Sequence, residues 1–244
     1  MTAFLMYVPY WYESYATYIL IVLPVVIISL IVSASMKATF RKYSDVRCSS
    51  GVTGAEMCRR VLLENGIMDV RVEMTEGELT DHYDPKGGVI RLSRDVYHGS
   101  SVAALGVACH EAGHAVQHEC SYIPYNMRKV FVPVANIGTN ISWIIILLGI
   151  VLSLPYLTTL GVVFFSFGAI FQLITLPVEF NASRRAISVL KNSNAMSDDE
   201  LKGARRVLRA AAMTYVAALA VSVANLLRIL VLTRNSKPWS SLPI

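Results

Sequence analysis

The sequence has few charged residues and few cysteines, and both shortages exclude whole classes of protein. Only 16% of its 244 residues are Asp, Glu, Lys or Arg, while 54% are hydrophobic. A water-soluble domain carries about 25% charged residues, and a disordered chain has much less apolar content. Four cysteines also give little support for a secreted fold held together by disulfides. We therefore expect an integral membrane protein.

Charge is absent altogether from three long stretches of the chain. Asp, Glu, Lys, Arg and His do not occur in residues 14–36, 130–178 or 210–227. A helix needs roughly 20 apolar residues to cross the hydrocarbon core of a bilayer. The middle stretch can hold two such helices if the chain turns near Pro155. The sequence predicts an α-helical integral membrane protein with four transmembrane helices, at about 15–36, 136–154, 158–178 and 210–232.

The distribution of positive charge predicts the orientation of the chain. Of the 22 Lys and Arg residues, twelve lie in residues 37–129, seven in 184–209 and three from 228 onward. Because basic segments are retained in the cytoplasm, we expect a multi-pass protein of the cell (plasma) membrane with both polar segments on the cytoplasmic side. Basic membrane flanks also account for the net charge of +5 without nucleic acid, which we do not expect as a partner.

The polar residues 37–130 carry the local signals of a small α+β unit. A capping-box sequence at residues 53–56 predicts the start of a helix that should end near residue 65. Alternating apolar and charged side chains in residues 70–74 predict a strand, and a second strand follows at 89–92. Ser100 or Ser101 should then cap a long helix over residues 102–119.

That helix contains the sequence His110-Glu111-Ala112-Gly113-His114. Residues four apart lie on one face of a helix, so His110 and His114 can bind the same zinc ion. Glu111 lies beside them and can take a proton from a water that the metal activates, then pass it to a leaving amine. The pattern predicts a catalytic zinc site with Glu111 as general base and acid. The small residues in the motif should let another helix pack closely.

A catalytic zinc usually has three protein ligands and one open position, so a third side chain is needed. Glu179 is the only ionisable residue between Lys129 and Arg184, and it follows directly on an apolar stretch. A carboxylate at the edge of the hydrocarbon is costly without a partner, and a zinc ion is a sufficient one. We predict Glu179 as the third ligand. The alternative is an interfacial carboxylate paired with Arg184 or Arg185.

Other side chains are candidates for contacts to the ligands or to a substrate. His118 lies about 12 Å along the helix from His110, which is too far for the same ion, so a supporting or substrate-contacting role is expected. Ser183 shares a helix face with Glu179 and could hydrogen-bond a ligand. Residues 89–93 are our candidate sheet edge for pairing with an extended peptide, with an ordinary structural strand as the alternative. Candidates for stabilising an oxyanion are His82, Tyr83, Asn126 and Arg184.

Taken together, these motifs resemble those of the neutral zinc metallopeptidases of bacterial membranes, the YugP-like membrane proteases. The resemblance covers nearly the whole chain and rests on residues 110–118, on Glu179 with residues 181–186, on residues 81–85 leading into 89–93, and on the four-helix layout. More distantly, the chain is similar to the membrane gluzincins, such as the HtpX heat-shock protease. Those proteins usually carry Asp four residues after the ligand Glu, where this chain has Ser183.

The resemblance implies a zinc metalloendopeptidase with a small cytoplasmic zincin-like (gluzincin) part, cutting membrane-associated or cytoplasmic polypeptides. It implies Zn²⁺ as cofactor, a polypeptide as substrate and the lipid bilayer as surroundings. Membrane partner proteins are possible, and the sequence does not identify them. A zinc-dependent hydrolase of a lipid and a non-catalytic scaffold stabilised by zinc remain as alternatives. The expected divisions are an N-terminal transmembrane helix (1–36), the metallopeptidase segment (37–130), a transmembrane hairpin (131–178), a cytoplasmic helical segment with the third ligand (179–209), and the fourth transmembrane helix with its tail (210–244).

Overall fold

Helices dominate the computed structural model, which describes residues 15–152 and 154–235. In chain order the elements are α1 (Tyr15–Ser44, with a π-helical segment at Tyr18–Val22), α2 (Gly54–Glu64), β1 (Arg71–Thr75), β2 (His82–Asp84), β3 (Val89–Ser93), α3 (Arg94–Tyr97), α4 (Val102–Glu119), α5 (Ile123–Val151), α6 (Pro155–Asn192) and α7 (Asp198–Asn235). The helices α1, α5, α6 and α7 are each long and apolar enough to cross a membrane. The prediction of four membrane-spanning helices is confirmed at this level.

All four long helices extend well beyond the apolar stretches that predicted them. The helix α1 continues to Ser44, α5 begins at Ile123, α6 continues to Asn192 and α7 begins at Asp198. Lys, Arg and Glu favour helix almost as strongly as Leu, so a change from apolar to charged residues does not end a helix. The predicted divisions at 36, 130, 178 and 209 therefore fall inside continuous helices. The predicted tail beyond residue 235 lies outside the described residues.

The chain forms two compact units. To the first belong the described residues up to Ile31, those of Val130–Leu173, and those from Ala217 onward. The second unit consists of Val32–Lys129 and Ile174–Val216. It contains α2, the three strands, α4 and the charged portions of α6 and α7, and its hydrophobic core joins side chains from all of these helices.

A three-stranded sheet with the order β1-β3-β2 belongs to the second unit. The strand β3 pairs in parallel with β1 and antiparallel with β2. The two predicted strands are confirmed, and β2 was missed because three residues are too few to show a period. The prediction that residues 89–93 form a sheet edge is wrong, because β3 is the central strand and four of its five residues are buried. The two edges of the sheet are β1 and β2.

The helix α4 lies at the centre of the core of the second unit. Its first turn is capped by Ser101, whose hydroxyl accepts a hydrogen bond from the Ala104 amide at 3.1 Å. The predicted capping box of α2 is present between Thr53 and Glu56. Gly66 follows the C-cap residue Asn65 of α2 and has a φ of +73°, a left-handed conformation that glycine adopts without strain. These local signals were readable from the sequence, since each depends on neighbouring residues alone.

The helices α4 and α6 approach each other closely at Gly113. A Cβ atom at this position would lie 3.1 Å from the carbonyl oxygen of Ala182, tighter than an ordinary van der Waals contact. Ala182 is fully buried. The prediction that small residues on both helices allow close packing is confirmed, and this contact brings the histidine face of α4 up to Glu179 on α6.

Candidate metal centre

Three side chains that can ligate a metal converge where α4 packs on α6. His110, His114 and Glu179 each offer a donor atom, and these atoms all lie within 4.8 Å of one another. The Nε2 atoms of His110 and His114 lie 3.3 and 3.7 Å from the same oxygen, Oε2 of Glu179. Glu179 is only 2% exposed. The carboxylate that follows the third apolar stretch is therefore buried directly against the two imidazoles.

Hydrogen bonds hold the ring of His114 with one nitrogen toward this cluster. Its Nδ1 lies 3.0 Å from Oε1 of Gln117. The amide nitrogen of Gln117 donates to the carbonyl of Val178 and to the side chain of Asn181, so its oxygen end must face the histidine. Nδ1 of His114 then carries the proton, and its Nε2 keeps a lone pair directed at Glu179.

His110 and Glu179 are also held by neighbouring side chains. The hydroxyl of Ser183 lies 3.3 Å from Nδ1 of His110, which leaves Nε2 of that ring facing the carboxylate. Arg128 donates a hydrogen bond from Nη1 to Oε1 of Glu179 at 2.8 Å. In each of the three groups, one polar atom is therefore held by a neighbouring side chain: Nδ1 in the two histidines and Oε1 in Glu179. The other polar atom, Nε2 or Oε2, is left facing the rest of the cluster.

Two imidazoles and one carboxylate are a donor set that fits a catalytic zinc, because three protein ligands leave a coordination position open for a substrate or water. Within the described part of the chain, this is the one group of three or more His, Cys, Asp and Glu side chains whose donor atoms are mutually this close. The outer hydrogen bonds also match what metal-binding histidines require, since Gln117 fixes the tautomer of His114 and Ser183 holds the ring of His110 in place.

The electrostatics of the cluster favour a positive charge. Burial opposes protonation of His114, but the hydrogen bond that its protonated ring donates to Glu179 and the charges of Glu111 and Glu179 outweigh burial and raise the pKa of His114 above its ordinary value. The negative charges that attract a proton to this ring are the same ones that would attract a dication. A metal and protons must compete for this ring.

Glu111 is buried and lies beside the cluster. It follows His110 on α4 and is 8% exposed. Its charge acts on His114 and also on Asp81, whose pKa is raised first by burial and further by Glu111, although two hydrogen-bond contacts from Ser93 oppose the rise. Glu111 is therefore held inside the second unit rather than at its surface.

An aromatic group lies along α4 beyond the cluster. The hydroxyl of Tyr83, on β2, is 2.9 Å from Nδ1 of His118. The ring of Tyr125 lies 5.7 Å from that of His118 and 6.4 Å from that of His114. Burial raises the pKa of Tyr83 to about 12, so this hydroxyl keeps its proton near neutral pH. His118 itself is not among the three converging donors.

The remaining candidates lie apart from these contacts. His82 is exposed, and its Nδ1 lies 2.7 Å from the carbonyl oxygen of Thr80. Asn126 and Arg184 are exposed on α5 and α6. Cys109, which precedes the first histidine, is buried, and burial raises the pKa of its thiol well above the ordinary value. That thiol stays protonated and packs in the core.

Sequence reasoning named Ser183 as a side chain that could hydrogen-bond a ligand, and its hydroxyl lies 3.3 Å from Nδ1 of His110, but it missed the other side chains that support the ligands. Gln117 had a signal, because it lies three residues after His114 on the same helix face. Arg128 is one of two cations that end the polar segment, and the alternative to a zinc ligand that the sequence offered for Glu179 was an ion pair with Arg184 or Arg185. The structure pairs Glu179 with Arg128 instead, because α5 brings this side chain to the cluster from a distant part of the sequence.

Four membrane-length helices and a buried cluster of two histidines and one glutamate define a membrane protein whose site could hold a metal ion. The chain belongs to the family described as "Putative neutral zinc metallopeptidase", whose model matches residues 18–234. It is 47% identical over 202 residues to a protein of Bacillus subtilis (strain 168) named "Putative membrane protease YugP", a match that covers 83% of this chain and 90% of that protein. No solved structure matches the chain.

Proposed function

We propose that this protein is a zinc endopeptidase of the gluzincin type, anchored in the plasma membrane by four helices, with its site in the cytoplasm. The observation that carries the proposal is the convergence of His110, His114 and Glu179 within 4.8 Å, directly beside Glu111. Membership of a zinc metallopeptidase family and similarity to a protein named as a membrane protease support the same reaction class. The excess of basic residues in the two polar segments supports the cytoplasmic side.

We assign His110, His114 and Glu179 as zinc ligands, through the Nε2 atoms of the two rings and the carboxylate of Glu179. A zinc ion bound there would lower the pKa of a water molecule to about 7 and polarise a carbonyl group. Glu111 is the general base and acid: its carboxylate takes the proton of the attacking water and passes it to the leaving amine nitrogen. Its burial keeps bulk water away from this proton transfer.

The sheet offers a place for the substrate. The strand β2 is an edge of the sheet and contacts α4 through the hydrogen bond between Tyr83 and His118. An extended peptide can pair with such an edge through main-chain hydrogen bonds, which would lay it alongside the histidine helix. The protonated hydroxyl of Tyr83 is then our candidate for a hydrogen bond to the substrate. This assignment transfers the predicted substrate strand from β3 to β2.

The direct test uses the purified full-length protein with casein as substrate. Glu111→Gln should retain zinc, because Gln replaces a side chain that is not a ligand, and should reduce proteolysis by about 10²- to 10⁴-fold through loss of proton transfer. Glu119→Gln is the matched control, since Glu119 is exposed at the end of the same helix. A Glu111→Gln protein with full activity would refute the assignment.

A second arm of the same experiment replaces casein with phospholipid. A peptidase releases peptides from casein and leaves phospholipid intact. Hydrolysis of the lipid alone, dependent on Glu111, would show a lipid hydrolase at the same metal site. Zinc binding with neither activity would indicate the scaffold alternative.

A further inference from the structure

A groove runs between α6 and α7 in the second unit, next to the metal-ligand cluster. It has a volume of about 570 Å³, which is within the usual range for small-molecule sites. Phe180, Ile187 and Leu208 line its apolar part. Ser183, whose hydroxyl lies 3.3 Å from Nδ1 of His110, is also part of the lining. We call this feature the α6–α7 groove.

Four cations line the α6–α7 groove and no carboxylate does: Arg184, Lys191, Arg205 and Arg209. Among the described residues, none of these four forms an ion pair, whereas Arg128 and Lys202, outside the groove, are paired with Glu179 and Asp199. Cations that converge without carboxylates repel one another, and an anion placed among them would relieve that repulsion. The lining is thus complementary to a negatively charged group.

The two ends of the α6–α7 groove are lined by different kinds of side chain. Phe180 lies two residues after the uncharged stretch that ends at Val178, and Ala212 lies inside the stretch that begins at residue 210. Lys191 lies about 16 Å further along α6 from Phe180. The end of the groove nearest the apolar stretches is lined by Phe180 and Ala212, and the far end is lined by Lys191 and Arg205, with Arg184, Ile187, Leu208 and Arg209 between them. A molecule that fits must have an apolar part toward the membrane and a negative charge beyond it.

We propose that the α6–α7 groove binds an anionic phospholipid, with its phosphate among Lys191, Arg205 and the neighbouring arginines and its acyl chains along Phe180, Ile187 and Leu208. Basic recesses between spanning helices on the cytoplasmic side are typical sites for anionic headgroups. Free phosphate would leave the apolar lining unused. A soluble acidic peptide would not account for an apolar end that starts where the helices leave their apolar stretches.

The test measures lipid binding by native mass spectrometry of the full-length protein in a neutral detergent. Phosphatidylglycerol should bind to the wild type more tightly than phosphatidylcholine. The double variant Lys191→Gln/Arg205→Gln should weaken phosphatidylglycerol binding roughly 25-fold, because each cation near an anionic headgroup contributes about a fivefold factor.

The control Arg60→Gln/Lys202→Gln removes the same charge outside the groove and should leave binding unchanged. Ser188 is exposed at the groove, so Ser188→Trp should also weaken binding, by filling the space without changing charge.

Three results would overturn the proposal: equal binding of phosphatidylcholine and phosphatidylglycerol, equal loss in the groove and control variants, or binding of inorganic phosphate to the wild type without any binding of phosphatidylglycerol. The last result would mean that the cations bind phosphate alone. All these measurements are independent of proteolysis. The lipid site and the peptidase can therefore fail separately.

Discussion

At the scale of single residues, the orientation of the third ligand depends on Arg128. Its guanidinium holds Oε1 of Glu179 at 2.8 Å, while Oε2 faces the histidines. Groups that orient a ligand typically contribute a factor of about 10 to 100 in metal affinity. We expect Arg128→Gln to weaken zinc binding by this factor, measured by competition with a chelator. Lys129→Gln, at the exposed next position, should bind zinc like the wild type, and equal affinities for all three proteins would show that Arg128 has no positioning role.

The pKa of His114 predicts how zinc binding depends on pH. Because the folded protein raises this pKa above about 6.5, the protonated ring stabilises the metal-free protein at low pH, and that stabilisation is lost as pH rises through the raised value. Zinc needs the neutral ring. The increase in unfolding temperature caused by zinc should therefore grow across the pH range in which the ring loses its proton, from below to above the raised pKa of His114. A zinc effect of equal size across this range would contradict the competition between zinc and protons.

The sequence predicted those site residues whose signal is local or unusually isolated. His110 and His114 could be predicted because they lie four residues apart on one helix. Glu179 could be predicted because it directly follows an uncharged stretch of 49 residues. Arg128 and Asn181 could not be predicted, because their contacts depend on how α4, α5 and α6 pack together. Polar side chains of this kind are common near helix ends, so their presence alone indicates no particular partner.

At the scale of secondary structure, the packing of α4 on α6 sets the distance between the histidines and Glu179. A Cβ at Gly113 would lie 3.1 Å from Ala182 on α6, whereas one at Gly106 would meet its nearest neighbour, Ala204, at 3.8 Å. Both glycines lie inside α4, where alanine favours the helix by about 1 kcal/mol. Gly106→Ala should therefore stabilise the protein and leave zinc affinity unchanged. Gly113→Ala should push α4 and α6 apart and weaken zinc binding.

The pair is measured by thermal unfolding and by zinc titration of both variants. Equal zinc affinity in Gly113→Ala and Gly106→Ala would show that the helix contact does not control the site.

The sequence suggested this contact between α4 and α6, because small residues occur on both helices. The sequence did not suggest the order of the strands in the sheet. The parallel pairing of β1 with β3, which skips β2 in the sequence, depends on non-local contacts that the periodicity of a single strand does not reveal.

At the scale of the whole molecule, the proposed orientation can be tested with cysteine labelling. Cys120 is exposed near the end of α4, whereas Cys48, Cys58 and Cys109 are buried. A membrane-impermeant maleimide should label Cys120 in inside-out vesicles and leave it unlabelled in right-side-out vesicles. The opposite control is Tyr156→Cys in a Cys120→Ser background, at an exposed position early in α6. Labelling of Cys120 in right-side-out vesicles would reverse the orientation.

The most direct measurement of the central claim is the zinc content of the full-length protein, purified and then analysed by atomic absorption. The account predicts about one zinc per wild-type chain, because one group of three ligands converges in the described residues. It predicts that Glu179→Ala loses this zinc and that Glu119→Ala retains it. A Glu179→Ala protein that keeps a full equivalent of zinc would contradict the account.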